Sequence, residues 1–199
     1  MRAEHTALIL IGYQNDYFAA DGILKDVLDG SPTPGEVMIN TVHLLRAVEA
    51  TAMPIFITPI VFTPDYSELT DATGILKAIK DVKAFREGEP GSNVSPEILG
   101  FGDRITEVRG KRGLNAFYGT ELQHLLEARE VTHVVFAGVV TSVCIDSSAR
   151  YAYDQGLNVT ILSDCTAGRT SIEQEFFCRN IFPIYAQVQS SQELLDSLH

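Results

Sequence analysis

The sequence predicts a single α/β domain built on a doubly wound parallel sheet with helices on both faces. Three observations carry this. Short apolar, β-branched runs alternate with stretches of helical periodicity along the chain, the order that right-handed crossovers between parallel strands require. The runs are apolar at successive positions, as in strands covered on two faces. A length of 199 residues suffices for one well-packed core and forces no second, so residues 1–199 read as one domain.

In order, Ala7 to Ile11 is the first buried strand, and Gln14 to Phe18 forms a polar and aromatic loop at its carboxyl end. Asp29 to Pro34 is turn-rich. Apolar residues at helical spacing (Val37, Val42, Leu44, Leu45, Val48) predict a helix over Gly35 to Ala52. Pro54 to Val61 is the second strand, with Pro59 lacking a ladder donor near one end. Phe62 to Thr73 reads as loop, Gly74 to Lys83 as a short helix, and Arg86 to Pro96 as an ordered surface loop. Ile105 to Val108 is a short third strand, and Thr120 to Arg129 a helix capped by Thr120. Val131 to Ala137 is the fourth strand, with a helix over Asp146 to Gly156. Val159 to Leu162, a helix from Ser171 to about Phe182, a sixth strand near Tyr185 to Val188 and a helix after Ser190-Ser191 complete the chain.

Composition narrows the function. A net charge of −11 opposes a nucleic-acid partner, which needs clustered Lys and Arg, and favours a small-molecule substrate. No apolar run approaches the roughly 20 residues of a membrane span, and Met1 to Thr6 shows no signal-peptide pattern. Three cysteines without paired spacing argue against a disulfide framework and suit a reducing cytoplasm.

The stretch Gly138 to Ile145 organises the rest. It joins a buried strand to a helix, and Thr141 as N-cap would put Cys144 in the first helical turn. There, free N–H groups and the positive end of the helix dipole favour a thiolate. Open α/β sheets bind ligands at such carboxyl ends. A buried structural thiol is the equally weighted alternative.

Five segments in order, ALILIGYQNDYF, EGEPGSNVSPEI, VRGKRGLNAFYGTEL, VVFAGVVTSVCIDSSARYAYDQG and VTILSDCTAGRT, resemble the isochorismatase-like cysteine hydrolases nearly end to end. The resemblance implies a Rossmann-like, six-stranded parallel sheet of order 3-2-1-4-5-6 and an Asp, Lys and Cys triad. It implies Cys144 as nucleophile, Lys111 as the cation that lowers the thiol pKa, and a cis peptide at Val139-Val140. The N–H groups of Val140 and Cys144 would then form the oxyanion hole. Members of the family commonly form dimers or larger assemblies, so a homo-oligomer (dimer or tetramer) is expected.

One position departs from the family. Where relatives read I-D-x-Q-N-D-F, this chain reads Ile11-Gly12-Tyr13-Gln14-Asn15-Asp16-Tyr17, so the catalytic aspartate position is Gly12. That carboxylate normally takes the thiol proton and returns it to the leaving group. Glycine would leave a hole there for a water or a substrate carboxyl. Three readings follow: a living hydrolase with a replacement group (Asp16 first, then Tyr13, Asp65 and Glu68), a non-catalytic small-molecule binder or scaffold, or an introduced substitution. Isochorismate itself is set aside, since its hydrolysis leans on the missing aspartate. The metal-binding Asp-x-His motif of nicotinamidase-type members is absent from Thr58 to Leu69, so no metal or cofactor is expected.

Tyr17 and Phe117 are pocket candidates, with core packing as their other reading. The five histidines (His5, His43, His124, His133, His199) show no ligand spacing, and Cys165 and Cys178 read as packed thiols. The expected activity is attack of Cys144 on a small amide or related carbonyl, through a thioester released by water.

Overall fold

The computed structural model describes residues 1–198, so His199 lies outside the described residues. Six strands form one parallel sheet: β1 (Thr6–Ile11), β2 (Ile55–Thr58), β3 (Thr106–Glu107), β4 (His133–Val139), β5 (Asn158–Ala167) and β6 (Gln187–Gln189). Their order is β3-β2-β1-β4-β5-β6, the doubly wound arrangement the sequence predicts. Around it lie α1 (Asn15–Phe18), α2 (Pro34–Val48), α3 (Gly74–Val82), α4 (Pro96–Leu99), α5 (Leu122–Glu127), α6 (Asp146–Asp154), α7 (Ser171–Phe176) and α8 (Ser191–Ser197).

The two-sided burial of the sheet explains the continuous apolar runs. All six residues of β1 are buried. Leu8 and Leu10 face one core with Val135 and Ala137 of β4 and with Val37, Leu44 and Leu45 of α2. Ala7, Ile9 and Ile11 face the other core, with Phe136 of β4, Leu122 and Leu126 of α5, and Ala149 and Ala152 of α6. The two-residue strand period thus feeds both layers.

Several boundaries differ from the sequence reading, each for a local reason. Helix α2 begins at Pro34, where Thr33 and Glu36 form a capping box, and ends at Val48, short of Ala52. Its last turn is closed by Arg104, whose guanidinium donates to the carbonyls of Val48, Glu49, Thr51 and Met53 at 2.7–3.2 Å. Strand β5 runs to Ala167, five residues past the predicted end, because a register irregularity between Phe136 and Gly138 lets the β4–β5 pairing resume at Thr166 and Ala167. The predicted helix from Ser171 is α7 followed by a π-helical turn, Phe177–Ile181. The loop at Gln14 to Phe18 contains the one-turn helix α1, and the loop at Arg86 to Pro96 leads into the one-turn helix α4. No helix among the described residues is long and apolar enough to cross a membrane.

Candidate active site

Strand order reverses about β1 and β4, whose carboxyl ends flank the crevice where open sheets bind ligands. Two glycines let these ends approach. A Cβ at Gly138 (φ +119°) would overlap the Ile11 carbonyl, and one at Gly12 (φ +77°) would sit 2.6 Å from the Val139 carbonyl oxygen. Only glycine adopts these backbone angles freely. Along the Cβ direction of Gly12 the Val139 carbonyl and side chain occupy the space, while a water-sized cavity still borders the residue on the Cys144 side.

After β4 the chain passes through a cis Val139-Val140 peptide into a π-helical turn, Thr141–Ile145, that precedes α6. The Val140 carbonyl accepts from Val143 N–H at 3.0 Å and Ile145 N–H at 3.3 Å. Cys144 therefore lies in this wide turn, ahead of the α-helix proper. The expected Thr141 cap is absent, since Val140 holds the N-cap position and Thr141 is turned elsewhere. Its hydroxyl donates to Gln174 Oε1 of α7 at 2.5 Å, and the adjacent Ser142 hydroxyl donates to Glu173 Oε1 at 2.5 Å. Burial pushes the Glu173 carboxyl up, but the hydrogen bonds from Ser142 and Arg169 outweigh it and hold the group below its ordinary value. These two side-chain pairs fasten the cysteine turn to α7.

Lys111 reaches the turn from the segment after β3. It is 1% exposed, and its Nζ donates to the Gly113 carbonyl at 2.5 Å and lies 3.6 Å from Cys144 Sγ. Ser148 ties the two segments together: its hydroxyl donates to the Cys144 carbonyl at 2.7 Å and accepts from Ala116 N–H at 2.9 Å. A cavity of about 20 Å³, room for one water, lies beside the pair. Gly12, Tyr17, Lys111, Val139 and Cys144 line it with Thr58, Ile60, Ile75, Ile79, Phe85 and Leu114. Its wall carries no carboxylate among the described residues.

The remaining candidates lie elsewhere. Phe117 packs on Tyr151, with ring centroids 5.0 Å apart, in the core against which Cys144 also rests, and it is not among the side chains lining the small cavity. The Tyr13 hydroxyl is buried against Thr41 at 2.6 Å, and burial drives its pKa up. Asp16 accepts from Phe85 N–H at 2.6 Å, and burial raises its pKa against the pull of that bond. With Gln14, which exchanges hydrogen bonds with Ile60 and donates to the Ser92 carbonyl, it pins the loop over the cavity. Asp65 and Glu68 both turn to Thr63, and Glu68 pairs with Arg112 at 2.8 Å. Cys165 and Cys178 are pushed by burial up to about 12 and about 11.

The sequence reading did not find Ile75, Ile79, Phe85 and Leu114 on the cavity wall, nor Glu173 and Gln174 behind the turn. The apolar spacing of Ile75 and Ile79 on α3 was the one available signal.

A doubly wound sheet with a cysteine and a buried lysine converging at its switch point defines a class of α/β proteins with a cysteine-bearing strand-to-helix turn. The family follows from comparison with known proteins. Residues 6–193 match the Isochorismatase domain, and the chain belongs to the isochorismatase family of hydrolases. It is similar to the isochorismatase family protein YecD of Escherichia coli O157:H7, with 29% identity covering 100% of this chain and 98% of that protein. It is also similar to ureidoacrylate amidohydrolase RutB of Methylobacterium radiotolerans, with 28% identity covering 85% of this chain and 70% of that protein. Among solved structures, a cysteine hydrolase from Pseudomonas syringae pv. phaseolicola superposes with a TM-score of 0.85 at 19% identity, covering 98% of this chain and 93% of that one.

Proposed function

We propose that this protein is a cysteine hydrolase of small amides, with Cys144 as nucleophile and Lys111 as its cationic partner. The observation that carries the reading is the buried Lys111 Nζ at 3.6 Å from Cys144 Sγ. A buried amine needs polar partners, and the Gly113 carbonyl and the Cys144 sulfur are the ones within reach of Nζ. Cys144 attacks the carbonyl carbon, the N–H groups of Val140 and Cys144 receive the oxyanion, and the C–N bond breaks. Lys111 carries the thiol proton to the departing amine, in place of the family aspartate, and water hydrolyses the thioester. Each lost oxyanion donor costs other enzymes roughly 3–4 kcal/mol of transition-state stabilisation. The chemistry calls on no metal. Similarity to an amidohydrolase supports the reaction class.

A panel of small amides tests this, with mass spectrometry of the Cys144 peptide to trap the acyl adduct. Cys144→Ala should abolish turnover and the adduct, and undiminished turnover in that variant would sink the proposal. The second reading, a binding protein that no longer turns its ligand over, is favoured by the carboxylate-free cavity wall. It predicts ligand retention with no Cys144-dependent product.

A further inference from the structure

The cysteine turn carries two hydroxyls suited to capping a helix, Thr141 and Ser142, and neither of them caps one. As N-cap, Thr141 would accept from the backbone N–H three residues on, which is that of Cys144. In an α-helical turn the Val140 carbonyl would take the same N–H, four residues along. The structure does neither. Val140 O accepts from Val143 N–H at 3.0 Å and Ile145 N–H at 3.3 Å, and passes over the Cys144 N–H between them. Asp146 N–H keeps the wide spacing by reaching back to the Thr141 carbonyl. A π-helical turn is rare and needs a local cause.

The cause lies on α7. Gln174 is 5% exposed and Thr141 is fully buried. Gln174 Nε2 donates to the β5 carbonyls of Ser163 at 3.2 Å and Thr166 at 3.1 Å. Turning the amide over would set its oxygen against those two carbonyls, so Oε1 is committed to the other side. There it receives the Thr141 hydroxyl at 2.5 Å. Ser142 is diverted in the same way, its hydroxyl donating to Glu173 Oε1 at 2.5 Å. Glu173 is itself held by the N–H of Arg169 at 3.2 Å and its Nε at 2.8 Å.

We infer that Gln174 is a positioning residue: by taking the Thr141 hydroxyl it keeps the cysteine turn wide and leaves the Cys144 N–H free for an oxyanion. The catalytic consequence rests on the cysteine-hydrolase reading, whereas the state of the backbone amide does not. Gln174 acts through Thr141. Without the Gln174 oxygen, the Thr141 hydroxyl turns back and accepts the Cys144 N–H. The thiol remains, and one of the two oxyanion donors is spent inside the turn before any substrate arrives.

Amide hydrogen exchange followed by NMR tests this with no substrate present. In the unaltered protein the Cys144 amide should exchange about tenfold or more faster than the Ile145 amide, whose N–H is bonded to Val140. Gln174→Met should slow exchange at Cys144 by about tenfold or more, and adding Thr141→Val, which removes the competing hydroxyl, should restore it. Exchange at Cys144 as slow as at Ile145 in the unaltered protein would overturn the inference. A slowing in Gln174→Met that Thr141→Val fails to reverse would do the same. Gln174→Met leaves two carbonyls unpaired, so if that variant does not fold, the comparison within the unaltered protein decides. Turnover is read separately: kcat on a small amide should fall about tenfold or more in Gln174→Met and recover in the double variant. The expected exchange pattern with no Cys144-dependent product keeps Gln174 in its role and refutes the hydrolase reading. Cys144-dependent turnover that Gln174→Met leaves untouched keeps the hydrolase reading and overturns the inference.

Discussion

Replacing Gly12 tests whether the missing carboxylate can be put back. By resemblance alone, Gly12→Asp should raise amidase activity. The structure predicts the opposite. Gly12 has φ +77°, and an added Cβ would lie 2.6 Å from Val139 O and 2.8 Å from Val139 Cγ2. A left-handed backbone costs a non-glycine residue about 1–2 kcal/mol. Relieving backbone overlap in a close-packed interior adds roughly another 1–3 kcal/mol. Gly12→Ala, which isolates the Cβ from the carboxylate, should therefore lose about 3 kcal/mol by urea unfolding. For a domain of this size that corresponds to a fall in Tm of about 6–12 °C.

Gly12→Asp should lose at least as much, because pairing with Lys111 offsets only part of the cost of burying the carboxylate and relieves none of the clash. Relief would come from parting β1 and β4, and Val139 leads straight into the turn that carries Cys144. Activity should stay flat or fall. The measurement is a pair: denaturant midpoints for both variants, and amide turnover for Gly12→Asp. A loss under 1 kcal/mol in Gly12→Ala, together with a tenfold gain in turnover for Gly12→Asp, would refute the argument that the strand ends have closed over the position.

Further outcomes follow from other contacts. Lys111→Met should lower kcat by about 10²–10⁴-fold, the usual contribution of a proton-transfer group, as read by steady-state amide hydrolysis. Arg104→Ala should cost about 2 kcal/mol in urea unfolding through the four carbonyls it serves, and Arg104→Lys should recover less than half, since a point charge cannot span them. Asp16 has its pKa raised above the ordinary 3.8, first by burial, so the folded state holds the proton more tightly than the unfolded chain. Its contribution therefore improves as pH falls through the window above 3.8 and is lost as pH rises. The stability of the wild type relative to Asp16→Asn should climb on acidification through that window, and a difference that shrinks instead would reverse the assignment.

The alternation of strands with helices and the cysteine turn were legible in the sequence because both are local patterns, whereas the strand order was implied by the family resemblance. The run Ala7 to Ile11 is apolar at every position, which in a chain alternating strands with helices implies a centre strand covered twice. Gly138 followed by Cys144 marked the strand-to-helix turn, and Lys111 was found through its surrounding motif. The cap at Thr141 went astray for a reason that local pattern cannot contain. Thr141 is a good capping residue, but Gln174, thirty-three positions away, takes its hydroxyl, and Gln174 is itself held by the carbonyls of Ser163 and Thr166 and the Thr166 hydroxyl. Only the extended β5 brings those acceptors under α7.

The same argument applies to Gly12. As a letter it reads as a deletion in a triad, a site emptied and otherwise unchanged. Its positive φ and the Val139 carbonyl against it describe a different event, in which the backbone occupies what a side chain would need. The consequence reaches past one residue. Asp65, Glu68 and Tyr13 are engaged by partners away from the Cys144 cavity, and Asp16 is taken up by the N–H of Phe85, which lines it. Lys111, 3.6 Å from Cys144 Sγ, and Tyr17, on the same cavity wall, are the proton-bearing side chains beside the sulfur, and the proposed hydrolysis would draw on them where relatives of the usual pattern use a carboxylate.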